Sequence, residues 1–164
     1  MGRETKHTLY YDIFDSPLGL LYLNSSGKCL TGISFEKPSD ISFKESAVPE
    51  NFKKELVSYF DGTGTGFKQK IKFLIGTDFE KKVWDSLKEI PFGETRTYKW
   101  VAEKIDNPSA TRAVGRALSK NPVPIVVPCH RVIESDGSIG GYSAGVDTKR
   151  RLLDMEYYSK INEG

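Results

Sequence analysis

Cysteine and histidine are scarce in this chain of 164 residues: Cys29, Cys129, His7 and His130 are the whole supply. Two cysteines a hundred positions apart cannot form a disulfide framework, and ligands at 7, 29, 129 and 130 carry no zinc spacing. No metal and no cofactor are therefore expected. Long apolar runs are missing too; nothing approaches the length of a membrane-spanning helix, so a membrane partner is not expected. Neither sign of charge dominates. The 24 Lys and Arg against 22 Asp and Glu leave +2, too little for composition alone to announce nucleic acid. The opening Met1-Gly2-Arg3-Glu4-Thr5-Lys6-His7 lacks the apolar segment of a secretory signal, and Lys6 stands where an N-myristoylation signal wants Ser or Thr. A reduced, intracellular location with free thiols is the expectation: the cytoplasm, or the nucleus if the source is eukaryotic.

What is present is an ordinary globular balance, 38% hydrophobic and 28% charged, enough for one compact domain or two small ones with a shared interface. The first third reads as strands. Leu9 to Phe14 ends at Ser16-Pro17, Leu18 to Leu23 stops at the turn cluster Asn24-Ser25-Ser26-Gly27, and Cys29 to Phe35 alternates before Lys37-Pro38. Phe52, Leu56 and Tyr59-Phe60 recur at helical spacing, which predicts a helix packed on a small antiparallel sheet. Asp61-Gly62-Thr63-Gly64-Thr65-Gly66 is read as a connector, because a phosphate loop would end in Gly-Lys-Ser or Gly-Lys-Thr before a helix.

From Thr77 the pattern turns helical. Thr77 or Asp78 can cap, with Glu80 in capping-box position, and Phe79, Val83, Leu87 and Ile90 fall on one face until Pro91-Phe92-Gly93. Thr97 can cap a second helix through Ile105. Asp106-Asn107-Pro108-Ser109 breaks it, a third helix is predicted from Ser109 to Ser119, and a fourth from Val146 to Tyr157. The expected class is α+β. An N-terminal α/β domain with its linker covers 1–76, and a mostly helical C-terminal domain with a helix-turn-helix covers 77–164.

Two features of the C-terminal part carry chemistry. The helix pair around 106–109 is either an ordinary solvated hairpin or a helix-turn-helix. Seven basic residues between Arg96 and Arg131 against only Glu103 and Asp106 fit phosphate contact, but composition alone leaves both readings open. The second feature is Asn121-Pro122-Val123-Pro124-Ile125-Val126-Val127-Pro128-Cys129-His130-Arg131-Val132. A thiol attacks as thiolate, and an imidazole and a guanidinium next to it in sequence are expected to favour that form. A third group must orient the imidazole; Glu134, Asp136, Asp147, Asp154 and Glu156 are all available downstream, and spacing does not choose. In the loop Gly137-Ser138-Ile139-Gly140-Gly141-Tyr142-Ser143-Ala144-Gly145, the glycines would let backbone approach a planar ligand on which Tyr142 could stack. Cys29, within a strand pattern, reads as structural.

Taken together, these segments resemble the O6-alkylguanine-DNA alkyltransferases, the methylated-DNA–protein-cysteine methyltransferases. The resemblance rests on Pro91-Phe92-Gly93-Glu94 before Thr97-Tyr98, Arg112-Ala113-Val114-Gly115, Asn121-Pro122-Val123-Pro124, Pro128-Cys129-His130-Arg131-Val132, Gly140-Gly141-Tyr142-Ser143, and Leu152-Leu153 before Glu156. It implies direct DNA repair: a monomer binds double-stranded DNA through the minor groove and flips O6-alkylguanine into a pocket. The alkyl group then moves irreversibly to a cysteine. Cys129 would be the nucleophile, His130 its base through a water, and Glu156 the carboxylate orienting His130. Asn121 resembles the family's hinge asparagine and Arg112 its arginine finger. Tyr98 resembles the tyrosine that helps rotate the nucleotide and donates a proton toward guanine N3. Val132 and Ser143 match positions whose backbones hydrogen-bond guanine; Pro124, Leu118 and Tyr142 match pocket walls. Thr97, Lys99, Ala110, Thr111 and Arg116 join Arg112 and Tyr98 on the DNA-binding face. The presence of Cys129 separates this chain from a noncatalytic branch that lacks the cysteine. Two readings compete, a DNA-binding module with a merely buried thiol and a Cys-His hydrolase with an acyl intermediate.

Overall fold

The computed structural model describes residues 9–40, 42–64 and 66–162. The N-terminal stretch with His7, read above for a leader and an acylation signal, and Thr65 of the connector lie outside the described residues.

Strands β1 (Leu9–Ser16), β2 (Gly19–Ser26) and β3 (Cys29–Ser34) form the expected antiparallel meander. Alternation places Leu21 and Leu23 on one face of β2, both fully buried; each such leucine contributes about 2 kcal/mol relative to exposure. Two details differ from the sequence reading. β2 continues through Ser25 and Ser26, which pair with Tyr10 and Leu9, so sheet pairing overrides the local turn preference of the serines. The turn itself falls at Gly27, whose φ is +59°. A fourth strand, β4 (Phe43–Glu45), pairs parallel with β1, giving the order β3-β2-β1-β4. Three residues are too short to carry a period of two, so nothing in the sequence marks it.

Helix α1 (Glu50–Asp61) buries Phe52, Leu56 and Tyr59, at spacings of four and three, and ends at Gly62 in the left-handed conformation. The chain then returns along the outer edge of the sheet. Leu30 N donates to Lys70 O and Lys72 N to Leu30 O, covering one stretch of the exposed β3 edge. Farther along the same strand, Ile33 N donates to Pro122 O at 2.9 Å. The sheet is thereby tied to the proline-rich segment through the backbone.

The second half opens with α2 (Asp78–Leu87). Its capping box is complete: Thr77 Oγ1 accepts from Glu80 N, and Thr77 N donates to Glu80 Oε1. The short strand β5 (Arg96–Thr97) pairs parallel with β6 (Val132–Ile133). Thr97 caps α3 (Tyr98–Lys104), accepting from Trp100 N. Asp106, at φ +59°, turns the chain into α4 (Thr111–Ser119). That helix starts two residues later than predicted because Ala110 N is still bonded to Asn107 O within the turn. Trp84 Nε1 donates to Ala117 O at 2.8 Å and pins α2 to α4. The last helix, α5, spans Val146–Asn162 and outruns its predicted end at Tyr157, since no glycine or proline interrupts it there. Side chains from both halves, among them Leu23, Leu56, Trp84, Val114 and Leu152, meet in one continuous core.

Candidate active site and nucleic-acid interface

Asn121 organises the segment between α4 and Cys129. Its amide nitrogen donates to Val127 O at 2.8 Å and its amide oxygen accepts from Val123 N at 2.9 Å. One side chain therefore bridges both ends of the proline-rich loop. The loop is strained as well as stiff: Ile125, a β-branched residue, sits at φ +75°, a conformation that costs about 1–3 kcal/mol. The bend delivers Cys129, His130 and Arg131 onto a single 3-10 turn.

Neighbours in sequence point in different directions on such a turn, and this corrects the sequence expectation. The Arg131 guanidinium does not serve the thiol. It donates to Glu156 through Nε (2.8 Å to Oε1) and Nη2 (3.2 Å to Oε2), and through Nη1 to Ile90 O. Of the five downstream carboxylates, Glu156 is the one that meets His130, with Nε2 to Oε2 at 2.5 Å. His130 is 0% exposed and Glu156 1% exposed. Gly93 N and the Tyr59 hydroxyl donate to the same carboxylate.

The electrostatics follow from burial and these contacts. Burial alone would raise the Glu156 carboxyl, but hydrogen bonds and charge from His130 and Arg131 prevail and bring it down from 4.5 to about 2. Burial lowers His130 from its ordinary value, against the pull of Glu156. The imidazole is thus neutral at neutral pH. With Nε2–H committed to the carboxylate, Nδ1 carries the lone pair, and among the described residues it has no hydrogen-bond partner. Burial also pushes the Cys129 thiol up; the Asn121 amide, Lys149 and Tyr142 pull it back only in part. At rest the sulfur is protonated, beside the Tyr142 hydroxyl.

Lys149 was not anticipated from sequence. Its ammonium is fully buried, donates to Val132 O at 2.6 Å and Gly141 O at 3.1 Å, and is lowered to about 8 by desolvation, with Cys129 and Glu134 opposing the shift. It ties α5 to both segments that flank the sulfur. Tyr59 was read only as a core residue, yet its hydroxyl reaches the Glu156 carboxylate. Nothing in the local sequence marks either role, since lysine is rarely buried and an aromatic at helical spacing ordinarily means packing.

A cavity of about 240 Å³ opens on Cys129, lined by Tyr98, Gly115, Leu118, Gly141, Tyr142 and Ser143 among others. Leu118, Tyr142 and Ser143 therefore sit together as the resemblance implies. Pro124 lines an adjoining cleft with Asn121 and Ser143. Val132 is buried, with its carbonyl already bonded to Lys149. Gly140 at φ +73° stands against the wall's Tyr98: a Cβ there would lie 2.8 Å from Tyr98 Oη and 3.5 Å from Lys149 Nζ. Gly140→Ala is expected to cost about 2 kcal/mol of stability through left-handed strain and the displaced tyrosine. Urea unfolding measures this, and faster labelling of Cys129 by a maleimide reports the opened wall.

Next to this cavity, Tyr98, Thr111, Arg112, Gly115 and Glu134 line a groove. Thr97 and Lys99 begin α3, and Ala110, Thr111, Arg112 and Arg116 belong to α4 and the turn before it. Of the seven basic residues between 96 and 131, five are paired: Arg96 with Glu94, Lys99 with Glu103, Lys104 with Glu89, Lys120 with Glu80 and Arg131 with Glu156. Arg112 and Arg116 have no carboxylate partner among the described residues, and both are exposed on α4. That helix offers its positive charge to solvent, the arrangement a polyanion requires. Among the described residues no three His, Cys, Asp or Glu side chains converge as a metal site would need, and no helix is long and apolar enough to cross a membrane.

Glu156 also links this site to stability. A carboxyl lowered on folding contributes stability that is present above its unfolded value and lost as pH falls through the folded one. The window here runs from about 4.5 down to about 2, and the contribution is roughly 3 kcal/mol. Urea midpoints measured from pH 7 to pH 3 are expected to fall steeply below pH 5 in the parent chain, and less steeply in Glu156→Gln.

The family model described as 6-O-methylguanine DNA methyltransferase, DNA binding domain, matches residues 78–158, and the ribonuclease-like domain of the same name matches 9–73. A methylated-DNA–protein-cysteine methyltransferase of Methanosarcina acetivorans is 42% identical over 158 residues, covering 90% of this chain and 98% of that protein. The one from Haemophilus influenzae is 38% identical over 162 residues, with 95% and 90% covered. Among solved structures, Mycobacterium tuberculosis O6-methylguanine methyltransferase superposes with a TM-score of 0.86 at 38% identity, covering 92% of this chain and 94% of that one. Mycobacterium tuberculosis OGT in complex with DNA gives 0.86 at 39% identity, with the same coverage.

Proposed function

The chain belongs to the 6-O-methylguanine DNA methyltransferase family, DNA-binding repair proteins that move an alkyl group from O6-alkylguanine to one of their own cysteines in a single irreversible step, and from that premise we propose that Cys129 is the acceptor within a Cys129–His130–Glu156 relay. The observation that carries this is the buried His130: its Nε2 meets Glu156 Oε2, its Nδ1 has no hydrogen-bond partner among the described residues, and the preceding residue, Cys129, is a buried thiol lining a cavity.

The thiol proton passes through a water to His130 Nδ1, and Glu156 stabilises the imidazolium that forms. The thiolate sulfur attacks the alkyl carbon in line, so a C–S bond forms as the C–O bond breaks. The electron pair leaves with guanine, whose developing negative charge is met by the Tyr98 hydroxyl. Burial, with the charges of Glu134 and Cys129, raises that hydroxyl above its ordinary value and keeps it protonated until then. The product is a thioether, which water does not displace, so each molecule acts once.

The chemistry occurs on a nucleotide taken out of the stack, because the O6 substituent is unreachable inside the duplex. In this reading α4 enters the minor groove of double-stranded DNA. Arg112 fills the space left by the flipped base, while Thr97, Lys99, Ala110, Thr111 and Arg116 contact the backbone. The Val132 and Ser143 backbones hold the guanine edge between Leu118, Pro124 and Tyr142, and Asn121 keeps the loop in register with α4. The protein works as a monomer of two modules, 1–76 and 77–164, in the compartment that holds the DNA: the cytoplasm, or the nucleus in a eukaryote. The two family models, matching on either side of residue 76, support the division.

Intact-mass analysis after incubation with a duplex containing O6-methylguanine tests the reading. One methyl group per chain, mapped to Cys129, is expected, and the reaction stops at one equivalent. Repeated turnover, or an adduct on Cys29, overturns it.

A further inference from the structure

The Glu156 carboxylate accepts five hydrogen bonds, and one of them comes from the other half of the molecule. Tyr59, on α1 and 97 positions before Glu156, donates its hydroxyl to Oε2 at 2.5 Å. This is the same oxygen that accepts from His130 Nε2, also at 2.5 Å. The ring is 1% exposed and fixed by Phe60, Phe67 and Phe92, whose centroids lie 5.1, 5.4 and 5.8 Å away. A tyrosine needing only some partner for a buried hydroxyl could have used a backbone carbonyl. This one is aimed at the oxygen that holds the imidazole.

We propose that Tyr59 is a positioning residue of the alkyl-transfer site, its hydroxyl sharing Glu156 Oε2 with His130 and thereby setting how strongly the imidazole takes the proton of Cys129. The inference rests on the relay proposed above and deepens it. Donors compete for one carboxylate oxygen: each draws off negative charge that would otherwise stabilise a protonated imidazole. Burial and the Glu156 charge hold the Tyr59 phenol well above its ordinary value, so it remains a donor over the working pH range. The other groups that set the charge around this pair are Arg131 on the turn, Lys149 on α5 and Tyr142 from the glycine-rich loop. Arg131 and Lys149 oppose protonation of His130, and in this proposal the Tyr59 hydroxyl works in the same direction by competing for Oε2. The N-terminal half thus reaches the chemistry through one hydroxyl and tempers the base.

The test is the His130 titration and the rate it controls. In Tyr59→Phe the ring packing is kept and one donor is removed. The His130 midpoint, followed by imidazole nitrogen NMR, is expected to rise by roughly half to one pH unit, a threefold to tenfold gain in proton affinity. The acid limb of the rate with O6-benzylguanine moves up with it. Trifluorotyrosine in place of Tyr59, a stronger donor of similar shape, is expected to move both downward. A merely structural tyrosine would lower the melting temperature in either variant and leave both midpoints where they are; unmoved midpoints overturn the proposal. Glu156→Gln separates this failure from that of the relay. If the parent acid limb does not respond to Glu156→Gln, the relay falls and the Tyr59 proposal with it. If it responds to Glu156→Gln but not to Tyr59→Phe, only the Tyr59 proposal falls.

Discussion

Cys129→Ala is expected to abolish alkyl uptake altogether, with binding to alkylated duplex DNA retained. Among the described residues no other thiol lines the cavity: its remaining walls are tyrosines, serines, glycines and a leucine, and a hydroxyl at ordinary pH is a far poorer nucleophile toward saturated carbon than a thiolate. Cys29, the other thiol, lies on β3 opposite Ser26 and outside the cavity lining. Truncating Cys129 removes one sulfur from a buried position, which costs about 1 kcal/mol and leaves the fold intact. The predicted signature is therefore divided: DNA retardation equal to the parent, and no mass gain with O6-benzylguanine under reducing conditions. A variant that still gained one benzyl group would place the acceptor elsewhere, and turnover of an ester through an acyl intermediate would favour a hydrolase.

The second large effect is expected at Arg112. Arg112→Ala should slow repair of a duplex by on the order of 100-fold, because extruding a paired base costs a few kcal/mol that a side chain filling the gap offsets. Reaction with free O6-benzylguanine, which needs no extrusion, should stay within about twofold of the parent. The two substrates are the internal control. Arg112 is exposed on α4, lines the groove beside Tyr98 and Glu134, and pairs with no carboxylate among the described residues. Its removal should therefore leave the Cys129 relay unchanged. Equal losses on both substrates would show that Arg112 acts on the site's structure and has no part in base extrusion.

Gly140→Ala and Glu156→Gln sample the same site through stability. Tyr59→Phe asks whether the first half of the chain tunes the chemistry of the second. The backbone bond from Ile33 to Pro122 and the hydroxyl bond from Tyr59 to Glu156 are two separate ties between the halves. One ends on the loop that leads to Cys129 and the other on the carboxylate that meets His130.

By itself the sequence determined the local elements and singled out the Cys129 segment as the candidate site. Apolar spacing in Phe52-Leu56-Tyr59 and Phe79-Val83-Leu87, the Thr77/Glu80 capping box, and turn residues at Pro17 and Asn107-Pro108 each act within one or two turns of chain. Such signals survive without a fold around them. The proline-braced Cys129 was legible for the same reason, because proline stiffness is a property of the backbone itself. Spacing left five carboxylates open for His130 and only the family resemblance named Glu156; tertiary structure is what brings the two into contact. It also turned Arg131 from the thiol to Glu156, and buried Lys149 between Val132 and Gly141. It brought a tyrosine from 97 residues away to that carboxylate, and added β4 as a parallel edge strand. Each of these depends on direction and distance between segments remote in sequence, where the energies come from desolvation and hydrogen-bond geometry. Neighbouring residues on the 3-10 turn at Cys129 make the point: adjacency along the chain promised a thiol activated by its arginine, and the fold instead buried the thiol and gave the arginine to Glu156.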